Sequence, residues 1–414
     1  MTDRMIARTH RIWSSPRNAL DPRTGTVPAA PVGSIFQDDL FPPPTVFTLK
    51  EQQMPKGQRW NAEWSTEADR TTGFEVRRLT NNPPSSSRHF YFHQISWTPD
   101  SSHVIFVSDR GGGSQLCSIA MANGDITQLT QDGMAHDATM SLHSPVAYYY
   151  TGNEFRAVNV LTLEEHAVGV LPEKMKCYSG PSENADGTLL VFAAQIEGGR
   201  CMAKTEIASG ATSVILETNT VLSHVNCSLT DPEWIMHCDS TRGDDKPKQR
   251  VWVLSTDGNR HWHPYTQTPQ EWLTHESWLG MTGKLLICYW PTGIMEINVD
   301  GSGVRLIAAV NAWHAAASRD GRYCVVDTNW PDRGIHLIER DTGRMCKVCE
   351  SDSGAGDSRA GSEVHPHPSF SPDGNYILFG SQKTGRPEVY VVGTEQVIAR
   401  QDLWWKPEYH WHRW

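Results

Sequence analysis

Two histidines stand two residues apart in the run HPHP, His365 and His367. In an extended strand, side chains at i and i+2 point to the same side. The prolines at 366 and 368 restrict the backbone around them, so both rings are held in place. Neutral imidazole is the commonest protein ligand for divalent first-row metals. His275, in the run LTHES, would complete a set of three nitrogens and leave room for a carboxylate oxygen or water, as a catalytic metal requires. Further histidines recur in comparable places: His93, His136, His224 and His314 each lie about five to nine residues ahead of a turn, and Tyr178 takes the one such place without a histidine. A lone histidine near a turn is ordinarily a hydrogen-bonded polar residue. The repetition calls for an architecture that brings separate segments to one point.

That architecture is written in internal repeats. A turn followed by an apolar strand occurs as TPDSSHVIF from 98, SLHSPVAYYY from 141, NADGTLLVF from 184, LTDPEWIMH from 229, GMTGKLLICYW from 280, SRDGRYCVVD from 318 and SPDGNYILF from 371. Successive starts lie 38 to 53 residues apart, which matches a four-stranded propeller blade. Helical periodicity is scarce, while short β-branched or aromatic stretches alternate with Gly, Asp, Asn and Pro turns. The expectation is an all-β, seven-bladed β-propeller with four-stranded blades. FEVRRLT at 74–80 precedes the first full unit, so an N-terminal strand should complete the last blade and pair two otherwise open edges. In a propeller the strand before each repeated turn lines the central channel, where the histidines would converge. Residues 1–60, with Pro42, Pro43 and Pro44, read as an extended arm. Residues 61–395 form the propeller and residues 396–414 an aromatic-rich tail that packs on an edge. A two-domain β-sandwich would have to keep one turn period over about 290 residues.

Composition narrows the function classes. The chain of 414 residues carries a net charge of -10 with 20% charged and 38% hydrophobic residues, which argues for a soluble protein and against a dedicated nucleic-acid binder. No run of about 18 apolar residues suits a membrane span, and the N-terminus lacks the apolar core of a signal peptide. Nine cysteines without a repeated spacing suggest no disulfide framework and a reducing, cytoplasmic location. Cys346 and Cys349 form a single C-x-x-C and read as ordinary strand residues. No G-x-S-x-G elbow points to a serine hydrolase, and no acidic pair in inner positions suggests glycoside hydrolysis. The oligomeric state is open.

The stretch HPHPSFSPDGNYILFGS with the later PEVYVV resembles the final blade of the oligogalacturonate lyases, a family of seven-bladed propellers. RHFYFHQISWTPD (88–100), VLSHVN (221–226), LTHESW (273–278) and AWHAAASRDG (312–321) extend the similarity over roughly residues 65–393. The resemblance implies a cation, Mn2+ first and Ca2+ or another divalent ion as alternatives, held by His275, His365 and His367. The family's fourth ligand, a glutamine, falls here on Ser362, with Glu363 or water as substitutes. It implies His224 as the proton-abstracting base and Arg200 as a catalytic or substrate-binding arginine; the bland reading of Arg200 is an exposed hairpin residue after Gly198 and Gly199. Arg88 and His89 stand in reversed order relative to the family's H-R and would bind sugar, with His93, His136 and His314 as further substrate contacts. Tyr91 and Trp97 are expected to pack between blades.

The resemblance implies β-elimination at a uronic acid, with an oligosaccharide as the partner molecule. The C5 proton is weakly acidic, and its removal leaves charge on the C6 carboxylate that a cation stabilises. An imidazole suits the base because its unperturbed pKa lies near neutrality. Two alternatives share the sequence features: a lyase for glucuronate-containing glycans, and a TolB-like binding module without catalysis.

Overall fold

In the computed structural model, the residues described are 54–131, 138–241, 249–329, 333–353 and 364–407. All belong to the compact unit Phe47–Trp414. The expected arm up to residue 53 lies outside them, as do His136, Ser362 and Glu363.

Seven antiparallel sheets account for the strands among these residues. From the axis outward, blade four runs Leu222–Cys227, Trp234–Asp239, Val251–Ser255 and His261–Trp262. Blade five runs Trp272–Trp278, Lys284–Trp290, Gly293–Asn298 and Arg305–Ala308. Blade six begins at Ala312–Ala317 and blade seven at Ser369–Phe370. The innermost strands of blades two to seven follow one another around the axis, each against the next. Blade seven is completed by Glu75–Arg78, which pairs with Glu388–Gly393, so the ring is closed by the N-terminal strand as the sequence predicts. Two blades are longer than four strands: Ser65–Ala68 adds a fifth to blade seven, and Arg59–Trp60 adds a fifth to blade one. The propeller's pairing therefore starts just before residue 61.

Each repeated turn is built by its own polar residues. Ser371 donates to Asp373 and accepts from the Tyr376 amide, and Ser318 does the same with Asp320 and Tyr323. These side-chain bonds satisfy backbone groups that the turn takes out of the ladder.

The core is not at the centre. Seven apolar clusters each join two neighbouring blades. Phe155 and Phe192, both fully buried, meet with ring centroids 4.7 Å apart between blades two and three; burying one such side chain is worth about 1.5–3 kcal/mol. Trp97 is buried and stacks on Tyr376 between blades one and seven, as expected. After the last strand, a short helix, Thr394–Ala399, leads to Trp404, which is buried in the cluster between blades six and seven. Apolar packing between sheets leaves the axis free for polar side chains.

All nine cysteines are free thiols. Among the described residues no helix is long and apolar enough to cross a membrane.

Candidate metal and base site

The innermost strands depart from a regular ladder where the histidines stand. Pairing slips between Ser223 and Asn226, between Thr274 and Glu276, and between Ala312 and His314. His224, His275 and His367 have φ of 50, 49 and 46°. This is the left-handed region, which glycine tolerates and which costs other residues about 1–3 kcal/mol each. A bulge inserts one residue and re-aims its side chain. Three of the six non-glycine residues with positive φ among the described residues are these histidines.

The rings form a connected set. Centroid separations are 4.4 Å for His314 and His367, 5.4 Å for His314 and His365, 5.6 Å for His365 and His367, and 4.2 Å for His275 and His314. His224 stands 5.5 Å from His275 and 5.5 Å from His93. The ligand atoms of His314, His365 and His367 lie within 4.8 Å of one another. The sequence placed His275 in that trio and His314 among the sugar contacts; the geometry puts His314 at the centre and His275 one ring away.

His314 is prepared for a ligand's role. Asp327 accepts from its backbone amide and bonds its ring Nδ1, both at 2.7 Å, with both residues fully buried. The other ring nitrogen, Nε2, is buried and has no hydrogen-bond partner, and the same holds for Nε2 of His367. A carboxylate behind an imidazole fixes the tautomer that presents the far nitrogen to a metal. Burial, and next the neighbouring imidazoles, hold His275 and His367 well below the usual imidazole pKa, in the neutral form that coordinates. These residues fit a divalent ion.

Beside them is a second cluster. His224 Nδ1 lies 2.9 Å from Oε2 of Glu276, and the Arg250 guanidinium donates to Oε1 at 2.6 Å. Burial disfavours a charge on His224, but the Cys238 sulfur and the Glu276 carboxylate outweigh it and push the imidazole's pKa up to about 10. Burial also works against the Glu276 charge; Arg250 and His224 more than offset it and hold the carboxylate well below its ordinary range. His224 Nε2 faces the Tyr91 hydroxyl at 3.4 Å.

Several expected residues take other places. Arg200, half-buried near the start of its strand, donates to the Asn219 carbonyl, and the arginine that reaches His224's partner is Arg250. His89 is buried with Nε2 3.0 Å from the Pro366 carbonyl, so it braces the peptide between His365 and His367; burial lowers its pKa to about 4. Arg88 is half-buried beside it on the inner strand of blade one. His93 is in the cluster, on a turn whose backbone bond joins Gln94 to Tyr91. Tyr91 does not pack between blades. Its ring stands 4.4 Å from His367 and 5.5 Å from His224.

Arg250, Glu276, Asp327, Cys238 and Tyr91 were missed. Glu276 stands on the innermost strand of blade five and Asp327 near the end of the second strand of blade six, whose other residues are mostly apolar. They lie on different strands of their blades and so do not form a pair of acids in comparable inner positions. Each is tied to a histidine, so neither is left as a free acid for hydrolysis.

Fold and site together define a seven-bladed β-propeller with a histidine cradle at its axis. A model of the oligogalacturonate lyase family matches residues 54–199. The oligogalacturonate lyase of Dickeya dadantii is 26% identical over 386 residues, covering 82% of this chain and 98% of that protein. The oligogalacturonide lyase of Pectobacterium atrosepticum is 24% identical over 388 residues, with 82% and 98% covered. Among solved structures, an oligogalacturonate lyase in complex with manganese aligns with a TM-score of 0.74 at 24% identity, over 83% of this chain and 100% of that one. One from Vibrio parahaemolyticus gives 0.73 at 21%, with 83% and 100% covered. The chain is similar in sequence to the oligogalacturonate lyases over most of its length and shares their fold, the similarity to which its HPHPSF and T-H-E motifs pointed.

Proposed function

We propose that this protein is a divalent-metal-dependent lyase that cleaves oligogalacturonides by β-elimination, with His224 as the base. The observation that carries the reading is the adjacency of two unlike imidazole sites: the His314, His365 and His367 trio, braced by Asp327, and His224, braced by Glu276. The trio would hold the ion, with His275 at its margin. When bound, the ion supplies positive charge for the uronate carboxylate as the C5 proton leaves. Manganese is the ion we favour. Imidazole donors suit first-row metals, whereas Ca2+ prefers oxygen ligands; a structural relative is described in complex with manganese.

Glu276 and Arg250 hold His224 so that Nε2 is the atom available to substrate. Nε2 takes the C5 proton, the C–H electron pair becomes the C4–C5 double bond, and the C4–O bond breaks with its pair on the departing oxygen. That oxygen takes a proton from solvent water as it leaves, the His224 imidazolium returns its proton to solvent, and the product is a 4,5-unsaturated uronide. Tyr91, within reach of Nε2, holds the base in the resting site. Free thiols throughout suit the reducing compartment in which we place the protein.

The test is a manganese-loaded preparation mixed with short oligogalacturonates and followed by ultraviolet absorbance of the unsaturated product. Signal only with glucuronate oligomers would move the substrate to the second class. Absence of signal with both, across several divalent ions, would leave a binding module.

A further inference from the structure

Besides the three imidazoles of the trio, a second group of possible metal ligands stands at the axis among the described residues, and it includes a sulfur: His224, Cys238 and Glu276, whose ligand atoms lie within 4.8 Å of one another. His224 is on the inner strand of blade four, Cys238 on the strand beside it and Glu276 on the inner strand of blade five. Ser223, next to His224, is paired with Cys238. Cys238 and Glu276 are fully buried, and the His224 side chain is 11% exposed, so an ion reaches the group past the imidazole. The hydroxyls of Ser223 and Ser240 lie 3.0 and 3.6 Å from the Cys238 sulfur, within reach to donate to it.

The elimination uses the imidazole and the carboxylate of this group and gives the thiol no task. A buried cysteine is ordinarily a small apolar residue. This one faces an imidazole, a carboxylate and two hydroxyls, and thiolate, imidazole and carboxylate are the donors of tetrahedral zinc sites. Thiolate favours zinc and similar soft ions, whereas manganese prefers oxygen and nitrogen donors. The two charges of such an ion meet two negative groups, the Cys238 thiolate and the Glu276 carboxylate, while Arg250 keeps to the carboxylate's other oxygen, Oε1. The nitrogen of His224 that faces this group is Nδ1. A neutral imidazole held through Nδ1 carries its proton on Nε2, the atom that the elimination needs free.

We propose that Cys238, His224 and Glu276 form a second metal site, for zinc or a similar soft divalent ion, separate from the three-imidazole site, and that an ion bound there switches off the base. On binding, the thiol proton and the proton on Nδ1 pass to solvent, and His224 is left with its remaining proton on Nε2. The binding stands on the geometry of the three side chains; the inhibition rests on the lyase reading.

The experiment titrates cobalt, a coloured substitute for zinc, into full-length protein loaded with manganese and follows the thiolate-to-cobalt charge-transfer band in the near ultraviolet. Wild-type protein should show the band and Cys238→Ser should lack it. Glu276→Gln should weaken cobalt by about 10–100-fold, the loss on removing one partner of a metal site. His314→Ala, which strikes the trio, should keep the band, and so should Cys177→Ser, which removes the half-buried thiol. In turnover of oligogalacturonate, zinc should lower kcat while manganese stays bound. Cys238→Ser, referred to its own zinc-free rate, should need about 10–100-fold more zinc for the same inhibition. No band in the wild type, a band that survives Cys238→Ser, one lost in His314→Ala or Cys177→Ser, or unchanged cobalt affinity in Glu276→Gln would each overturn the site. Inhibition that follows manganese release, or that is equal in wild type and Cys238→Ser, would overturn the switch. The band is read without turnover, so wild-type protein that shows it and yields no unsaturated product would count against the lyase reading alone.

Discussion

Two carboxylate–imidazole pairs stand in the same mouth and differ in what surrounds them. In one, His314 and Asp327 are fully buried, Asp327 also takes the His314 amide, and the free ring nitrogen faces two more imidazoles. In the other, Glu276 is shared between His224 and the Arg250 guanidinium, and His224 faces a phenol. The first environment orients its imidazole so that the ring nitrogen away from Asp327 faces the other rings of the trio. The second stabilises a proton on the imidazole. A shared local motif thus yields a ligand in one case and a base in the other, and the third partner decides which.

The sharpest way to break the contrast is His224→Ala. If the halves are separable, turnover should fall by about 10²–10⁴, the usual contribution of a positioned base, while metal content measured by elemental analysis stays that of the parent. Loss of the ion in this variant would show the two halves to be one site.

Asp327→Asn addresses the other half. It should weaken manganese by about 10–100-fold, as removal of an outer carboxylate does, while activity at saturating manganese recovers most of its value. Unaltered affinity in a metal titration would mean that Asp327 serves only the fold.

Glu276→Gln sharpens the comparison through pH. The base must be neutral, so rate rises with pH toward the raised pKa of His224, about 10 in the metal-free protein. Glu276 stabilises the imidazolium; without it the pKa falls and the rising limb of the kcat profile shifts to lower pH. A limb that stays in place would remove His224 from the role.

The smallest effect concerns stability. His89 and His237, both buried, have pKa values lowered by burial to about 4 and about 3. Unfolded, they would take protons below about pH 6.5, and folded they do not, so stability falls as pH drops from about 6.5 toward 4. Each contributes at most about 1.4 kcal/mol per pH unit. His224, with its pKa raised, works with the opposite sign: its contribution is complete below about 6.5 and is lost as pH rises toward 10. Urea midpoints of the metal-free protein should be lower at pH 5 than at pH 7, and His237→Ala should reduce the difference.

The repeats made the propeller legible because each blade answers the same local demands: a turn that bonds to its own Ser or Asp, then an apolar strand. Blade closure by Glu75–Arg78 was legible for the same reason. His224, His365 and His367 were legible as site residues because imidazoles ahead of the turns must approach the axis. The places of His314 and His275, and the pairing of Arg250 with Glu276, were not. They depend on a one-residue slip in three inner strands and on left-handed backbone at His224 and His275, which a residue pattern of period two does not record.

Composition and order along the chain alone determined the class of fold, its closure and the supply of imidazoles at one rim, since these follow from short-range turn chemistry and alternation. Tertiary structure alone decided which nitrogen meets which carboxylate. Asp327 comes from the strand beside His314 and Arg250 from just before a strand of the neighbouring blade, and only the packed ring, with its bulges, sets their distances to His314 and Glu276.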